Sequence, residues 1–376
     1  MSTSTLDLPS TAAQWRTRAT RNGLAASSIH TAKLTSASKV QENQYLLGQV
    51  LWKQVLPTDF HWARFELDEW QAPAKNLLSN YASWKMYCDS LAEASPVSPG
   101  RNPESTFALV REFQKQAASV ADNNMTSNVT VTPRQLRSVR GSLSDRFRGI
   151  ELGTPSRSTG IPSEESDSEE DEASPVEFET PGVVEFPTQI YQQTKDEQIV
   201  NTALINFLSA LTLHSGIQNR WSIHRLPLKA QFTHATFEAR TDGYLEDTPR
   251  GKVRALVEVK AAIRGHEVII RMQEAAQMIA WLKSHPDRGG RLNRPGRRLH
   301  VCQDRHQIFI IFAKYDDEYL DFLEGTSRST PSNAFLTMFE CGPWNTQDHK
   351  QMKHLADILV AISLRAADDY EAEQQV

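Results

Sequence analysis

The sequence predicts a mixed α/β domain over residues 191–370, preceded by a small helical module at 41–121 and a disordered linker at 122–190. Three observations carry that expectation. Beyond residue 190 the apolar spacing switches repeatedly between helical and extended patterns. Residues 141–190 hold 12 Asp plus Glu against 3 Arg, so this stretch carries −9 while the chain as a whole carries −5. And the run "FEARTDGYLEDTPRGKVRALVEVKAAIR" puts carboxylates and a lysine on strands that packing alone would make apolar.

Residues 1–40 are expected to lack order. From Leu8 to Gln41 there is no acidic residue, while Arg16, Arg18, Arg21, Lys33 and Lys39 sit among Ser, Thr and Ala. A mitochondrial transit peptide has this composition, and a plain disordered start is the competing reading. In "NLLSNYASWKMYCDSL", Leu77, Tyr81, Trp84, Cys88 and Leu91 form one stripe at three- and four-residue steps. In "NPESTFALVREFQKQAASV", Asn102 suits an N-cap, Pro103 the first helical position, and Val110, Phe113, Ala117 and Val120 a buried stripe. Trp52, Trp62, Trp70 and Trp84 then belong to a core.

The linker is basic and then acidic. Arg134, Arg137, Arg140, Arg146 and Arg148 precede "SEESDSEEDEASPVEFETPG", which buries too little apolar surface to offset its ordering entropy. Ser166 and Ser168 lie upstream of acidic residues, as an acidophilic kinase requires. The α/β part opens with a helix at "TKDEQIVNTALINFLSAL", where Thr194 and Glu197 read as a capping box. Extended runs follow at "WSIHRLPL", "HATFEARTDGYL" and "VRALVEVKA". A helix at "VIIRMQEAAQMIAWLK", a strand pair at "RRLHVCQD" and "RHQIFIIFAKY", and a closing helix over about 346–367 complete it, leaving a tail at 371–376.

Composition narrows the classes. The chain of 376 residues is 39% hydrophobic with 8 Trp and 15 Phe, enough for a real core. Cys88, Cys302 and Cys341 are too far apart in sequence for a zinc or redox motif, which points to a reducing compartment. No run reaches the ~20 apolar residues of a membrane span. An intracellular protein is expected, nuclear or cytoplasmic, with the mitochondrion as the alternative.

Alternation along "LVEVK" puts Glu258 and Lys260 on one face and Val257 and Val259 on the other. If the two strands pair as a hairpin through "EDTPRG", Asp242 approaches Glu258. Two converging carboxylates suit Mg²⁺ or Mn²⁺, and a neighbouring lysine can orient or deprotonate a bound water or steady developing negative charge. The plain alternative is a cross-strand ion pair on a solvated face.

The order Asp242, then Glu258-Val259-Lys260, with a helix before and after, resembles the PD-(D/E)xK nuclease superfamily. Gln273 and Gln277, four apart on the following helix, resemble the Gln-containing helix of RecB-like and lambda-exonuclease-like members, which usually carry Tyr where Gln277 stands. The stretch from "DEQIVNTALINFL" to "FLTMFECGPW" is similar to a filamentous-fungal group of that superfamily. The resemblance covers about 190–368. It implies a restriction-endonuclease-like mixed sheet flanked by helices, with metal held by Asp242, Glu258 and the Val259 carbonyl. Lys260 would act on the water, and Gln273 would be a further site residue. Thr241 stands where the motif has Pro.

"RGGRLNRPGRRLH" reads as a phosphate-contacting loop through Arg291, Arg294 and Arg297. The expectation is therefore a metal-dependent nuclease acting on DNA. Its rivals are an inactive nuclease-fold protein that binds nucleic acid or partners as a scaffold, and an interaction protein governed by its acidic linker.

Overall fold

A computed structural model describes residues 7–24, 26–92, 106–119, 194, 196–248, 250–264, 268–326 and 334–375. In chain order the elements are α1 (Ala12–Arg21), α2 (Glu42–Leu47), β1 (Val50–Val55), α3 (Asp68–Ser79), α4 (Ala82–Ala92), α5 (Thr106–Ala118) and α6 (Glu197–Thr212). They continue with β2 (Asn219–Ser222), β3 (Pro227–Gln231), β4 (Thr236–Arg240), β5 (Gly243–Asp247), β6 (Val253–Lys260) and α7 (Val268–Ser284). The last are β7 (Leu299–Asp304), β8 (Gln307–Lys314), α8 (Asp317–Glu324), β9 (Leu336–Asn345) and α9 (His349–Gln374).

Seven strands form a mixed sheet in the order β1-β9-β8-β7-β6-β5-β2, so the expected α/β class with a mixed sheet and flanking helices is present. The pairs β6/β7 and β1/β9 are parallel, and the others are antiparallel. Both faces are covered, which is why the central strands read as apolar runs. On one face Val257, Val259, Val301 and Ile310 pack with α3 to α6 and α9; on the other Leu256, Ile311 and Met338 pack with α2, α7, α8 and the β3-β4 hairpin.

The N-terminal part is not the separate module that the sequence suggested. Residues before 121 and after 191 belong to one compact unit, because β1 extends the main sheet along β9, while α3 and α4 pack on α9 and α5 on α6. The start is also ordered: α1 is capped by Thr11, whose side chain accepts from the Gln14 N–H, and the Trp15 indole donates to the Leu46 carbonyl. The expected single stripe over 77–91 is divided between α3 and α4 at Asn80–Tyr81.

The tryptophan reading holds, with Trp52 and Trp84 buried and Trp62 and Trp70 packed against the core. The three cysteines are free and buried. No helix among the described residues is long and apolar enough to cross a membrane. Asn102, Pro103, the Arg134–Arg148 cluster, Ser166 and Ser168 lie outside the described residues.

Candidate active site

The run "HATFEARTDGYL" is two strands and not one. Phe237 and Ala239 alternate inward, but β4 pairs with β3 in a separate two-stranded sheet lying against α7. At Thr241 the chain crosses to the main sheet, and Asp242 precedes the first ladder pair, Gly243 with Val257. The Asp242 N–H donates to the Val257 carbonyl at 2.9 Å, and the Asn201 amide of α6 donates to the Asp242 carbonyl at 3.1 Å. A side chain at 243 would put its Cβ 2.5 Å from the Ser222 carbonyl oxygen, so glycine is what lets β2 come close beside Asp242.

This crossing turns the Asp242 carboxylate toward β6. Oδ2 accepts from the Val259 N–H at 3.2 Å, and Oδ1 lies 3.3 Å from Nη2 of Arg225. Glu258 is only 3% exposed and is ringed by donors. Lys260 Nζ donates to Oε1 at 2.6 Å, Gln273 Nε2 donates to the same oxygen at 2.5 Å, and Gln277 Nε2 donates to Oε2 at 2.6 Å. Gln277 also donates to the Arg240 carbonyl at 2.9 Å, tying α7 to the end of β4. Both glutamines predicted from their four-residue spacing therefore meet Glu258.

Lys260 Nζ donates in addition to the Val259 carbonyl at 3.0 Å and stands 3.6 Å from Glu197 Oε1. Burial lifts Glu258 to about 8; Lys260 opposes that rise and the Asp242 charge adds to it. Burial works against the Lys260 ammonium, but Glu258, Glu197 and Asp242 more than offset it, so its pKa is raised and it stays charged. Glu197 is raised too, by burial first and by Asp242, with Lys260 opposing.

The capping-box reading of Thr194 and Glu197 is corrected. Asp196 is the N-cap, accepting from the Gln198 N–H at 2.9 Å, which leaves Glu197 at the first helical position and turned to Lys260. Arg225 escaped prediction, since it comes from the β2–β3 connection and gives no local signal. Asn201 did leave one, being a buried amide on an otherwise apolar helix face.

Behind the site lies a buried ionic network that composition does not reveal. Arg264 donates to Asp304 of β7 at 2.5 Å, to Glu274 of α7 at 2.7 Å and to Glu340 of β9 at 2.9 Å. Arg271 pairs with Glu340 at 2.8 Å. Three carboxylates face two guanidiniums here. The Glu340 carboxyl is buried, yet Arg264 and Arg271 hold it down at about 2, whereas burial lifts Glu274 to about 7 against the pull of Arg264. The network fixes α7 against β7 and β9, and so aims Gln273 and Gln277 at Glu258.

The arginine loop does not join the site. Arg291 lies 3.7 Å from Asp369, Arg294 lies 3.2 Å from Glu66, and Arg297, 4% exposed, pairs with Asp369 at 2.9 Å and also with Glu66. These pairs occupy the wrong end of the sheet. Lys260 is opposite Asp304 at the finish of β7, whereas the loop precedes its first residue, Leu299. Arg291, Arg294 and Arg297, expected as phosphate contacts, are therefore not brought to the carboxylate pair; each is paired with Asp369 or Glu66.

Among the described residues no group of three or more His, Cys, Asp or Glu forms a metal-ligand cluster. Mg²⁺ needs only one or two protein carboxylates. The oxygen donors of Asp242, Glu258 and Val259 fit a hard cation. So does the Asp242 charge beside the buried Glu258, and the buried Oε1 of Gln277 has no hydrogen-bond partner. Comparisons with protein-family models, with curated proteins and with solved structures found no match.

Proposed function

We propose that the chain is a Mg²⁺- or Mn²⁺-dependent nuclease that hydrolyses DNA phosphodiester bonds, built on a restriction-endonuclease-like core running from α6 to β7. The observation that carries this reading is the meeting of Asp242 and Glu258 at the β5–β6 hairpin, with Lys260 joined to Glu258 at 2.6 Å. Asp242, Glu258 and the Val259 carbonyl would hold the cation, which when bound polarises a phosphoryl oxygen and lowers the pKa of its water.

The chain's own residues divide the remaining work. Gln273 and Gln277 hold the Glu258 carboxylate in one orientation. Lys260, whose ammonium is held by three acidic neighbours in the metal-free site, donates to the attacking water or to the negative charge that develops on the phosphate. Arg225, 69% exposed beside Asp242, offers a guanidinium fork to a phosphate oxygen.

A second reading, a nucleic-acid-binding scaffold without turnover, is favoured by one observation. The Lys260 ammonium already contacts Glu258 Oε1 and the Val259 carbonyl, two of the three oxygens a cation needs. Incubating the full chain with linear, circular and single-stranded DNA and Mg²⁺ or Mn²⁺ separates the two. Cleavage that disappears in Asp242→Asn and Glu258→Gln is the expected result. Binding of DNA with neither cleavage nor any heat of Mn²⁺ binding would overturn the nuclease reading and leave the scaffold.

A further inference from the structure

With the arginine loop committed to ion pairs, a further cationic surface is found at the carboxylate end of the sheet. Between α3, α4 and the start of α9 is an open cleft of about 920 Å³. Four exposed lysines surround it: Lys75 on α3, Lys85 on α4, and Lys350 and Lys353 on α9. Leu78 and Trp84 line its buried floor. Asp89 and Asp357 are its acids, so the lining carries +2 with histidines neutral. Among the described residues, no carboxylate forms an ion pair with any of the four lysines.

The neighbouring acids offset only part of this charge. The N-terminus of a helix carries partial positive charge and favours acids. Yet α9 has no acidic residue in its first turn, and two lysines lie within its first five residues. Asp348 caps that terminus and Asp357 stands nine residues in, its charge acting on Lys75 and Lys353, while Asp369 and Glu373 at the far end pair with Arg297 and Arg254. Two acids face four lysines in the cleft, so it keeps a net positive charge that a docked anion would offset.

The cleft lies at the same end of the sheet as the carboxylate pair. Lys260 is opposite Asp304, Asp304 is opposite Gln307, and Gln307 is opposite Asn345, four residues before α9 begins. Three strand spacings make about 14 Å, the length of about four base pairs of duplex DNA. Glu258 faces α7 while the cleft lies on the α9 face, so a backbone joining the two passes around this end of the sheet.

We propose that this lysine cleft is a second phosphate-backbone contact for the nucleic acid engaged at the Asp242–Glu258 site. The choice of ligand rests on the nuclease reading. The test is fluorescence anisotropy of a labelled 16-base-pair duplex with the full chain, without divalent metal, from 50 to 200 mM salt. Lys350→Glu/Lys353→Glu should weaken binding at least about fivefold and lower the slope of log affinity against log salt by about 0.9 for each phosphate no longer neutralised. Its melting temperature and its Mn²⁺ titration should match wild type.

Unchanged affinity and slope in a variant that melts like wild type would overturn the cleft. Displacement of the duplex by polyglutamate of equal charge as readily as by unlabelled DNA would assign it to acidic protein and overturn the proposal. Because the assay needs no turnover, a lysine effect in a chain that neither binds Mn²⁺ nor cleaves would sink only the nuclease reading.

Discussion

Lys260 Nζ sits 2.6 Å from Glu258 Oε1, and the carboxylate is 3% exposed while the lysine side chain is 21% exposed. The ammonium thus balances a buried charge from the solvent side. It does so on the oxygen that a cation would use. Lys260→Ala removes the charge that opposes the rise of Glu258, and should cost less apo stability than the ~3–5 kcal/mol of a fully buried pair because the carboxyl can take up a proton instead. Mn²⁺ binding should persist and cleavage should be lost. Retained cleavage in Lys260→Ala would remove the lysine from the mechanism.

Arg225 and the cation share Asp242, so the same substitution should move two affinities in opposite directions. Arg225→Ala frees Asp242 Oδ1 and should tighten Mn²⁺ binding measured by calorimetry without DNA. It should also weaken DNA binding by about 1–3 kcal/mol if the guanidinium holds a phosphate. Asp242→Asn should abolish the Mn²⁺ thermal shift and leave apo stability unchanged or raised, because it relieves repulsion with Glu258. A fall in both affinities in Arg225→Ala would mean that the arginine only shapes the loop.

Glu274 gives the pH dependence a location. Its folded pKa, about 7, lies above the ordinary 4.5, so the unfolded chain releases this proton first. Its contribution therefore favours the folded state at low pH and is lost as pH rises from about 4.5 through about 7, by up to about 1.4 kcal/mol per unit. Glu274→Gln should cost about 1 kcal/mol at pH 5 and flatten this window by pH 8. Urea unfolding at pH 5, 6, 7 and 8 reads the difference; parallel pH profiles for the two proteins would contradict it.

Arg297 is 4% exposed and pairs with Asp369 and Glu66, so Arg297→Ala should lower stability by about 3–5 kcal/mol. The salt slope of DNA binding should stay at its wild-type value. A reduced slope with unchanged melting would return the loop to the nucleic acid.

Much of what depends on spacing along one element was legible in the sequence, though the cap of α6 and the break between α3 and α4 were not. Period 2 put Val257 and Val259 into the core away from Glu258, the four-residue step put Gln273 and Gln277 on one face, and the hairpin across 248–252 joined β5 to β6. Features that join distant segments were legible only in the folded chain. β1 became part of the sheet only because β9, some 280 residues later, offers it a parallel edge. Asp242 meets Glu258 through a crossing between two sheets, not along one continuous strand. The same dependence governs charge: a guanidinium's role is set by the acids that reach it, and Glu66 and Asp369 reach Arg297 from remote parts of the chain. Local sequence specifies which groups are present and which way they alternate, but whether a charge is left free for a ligand is decided by packing.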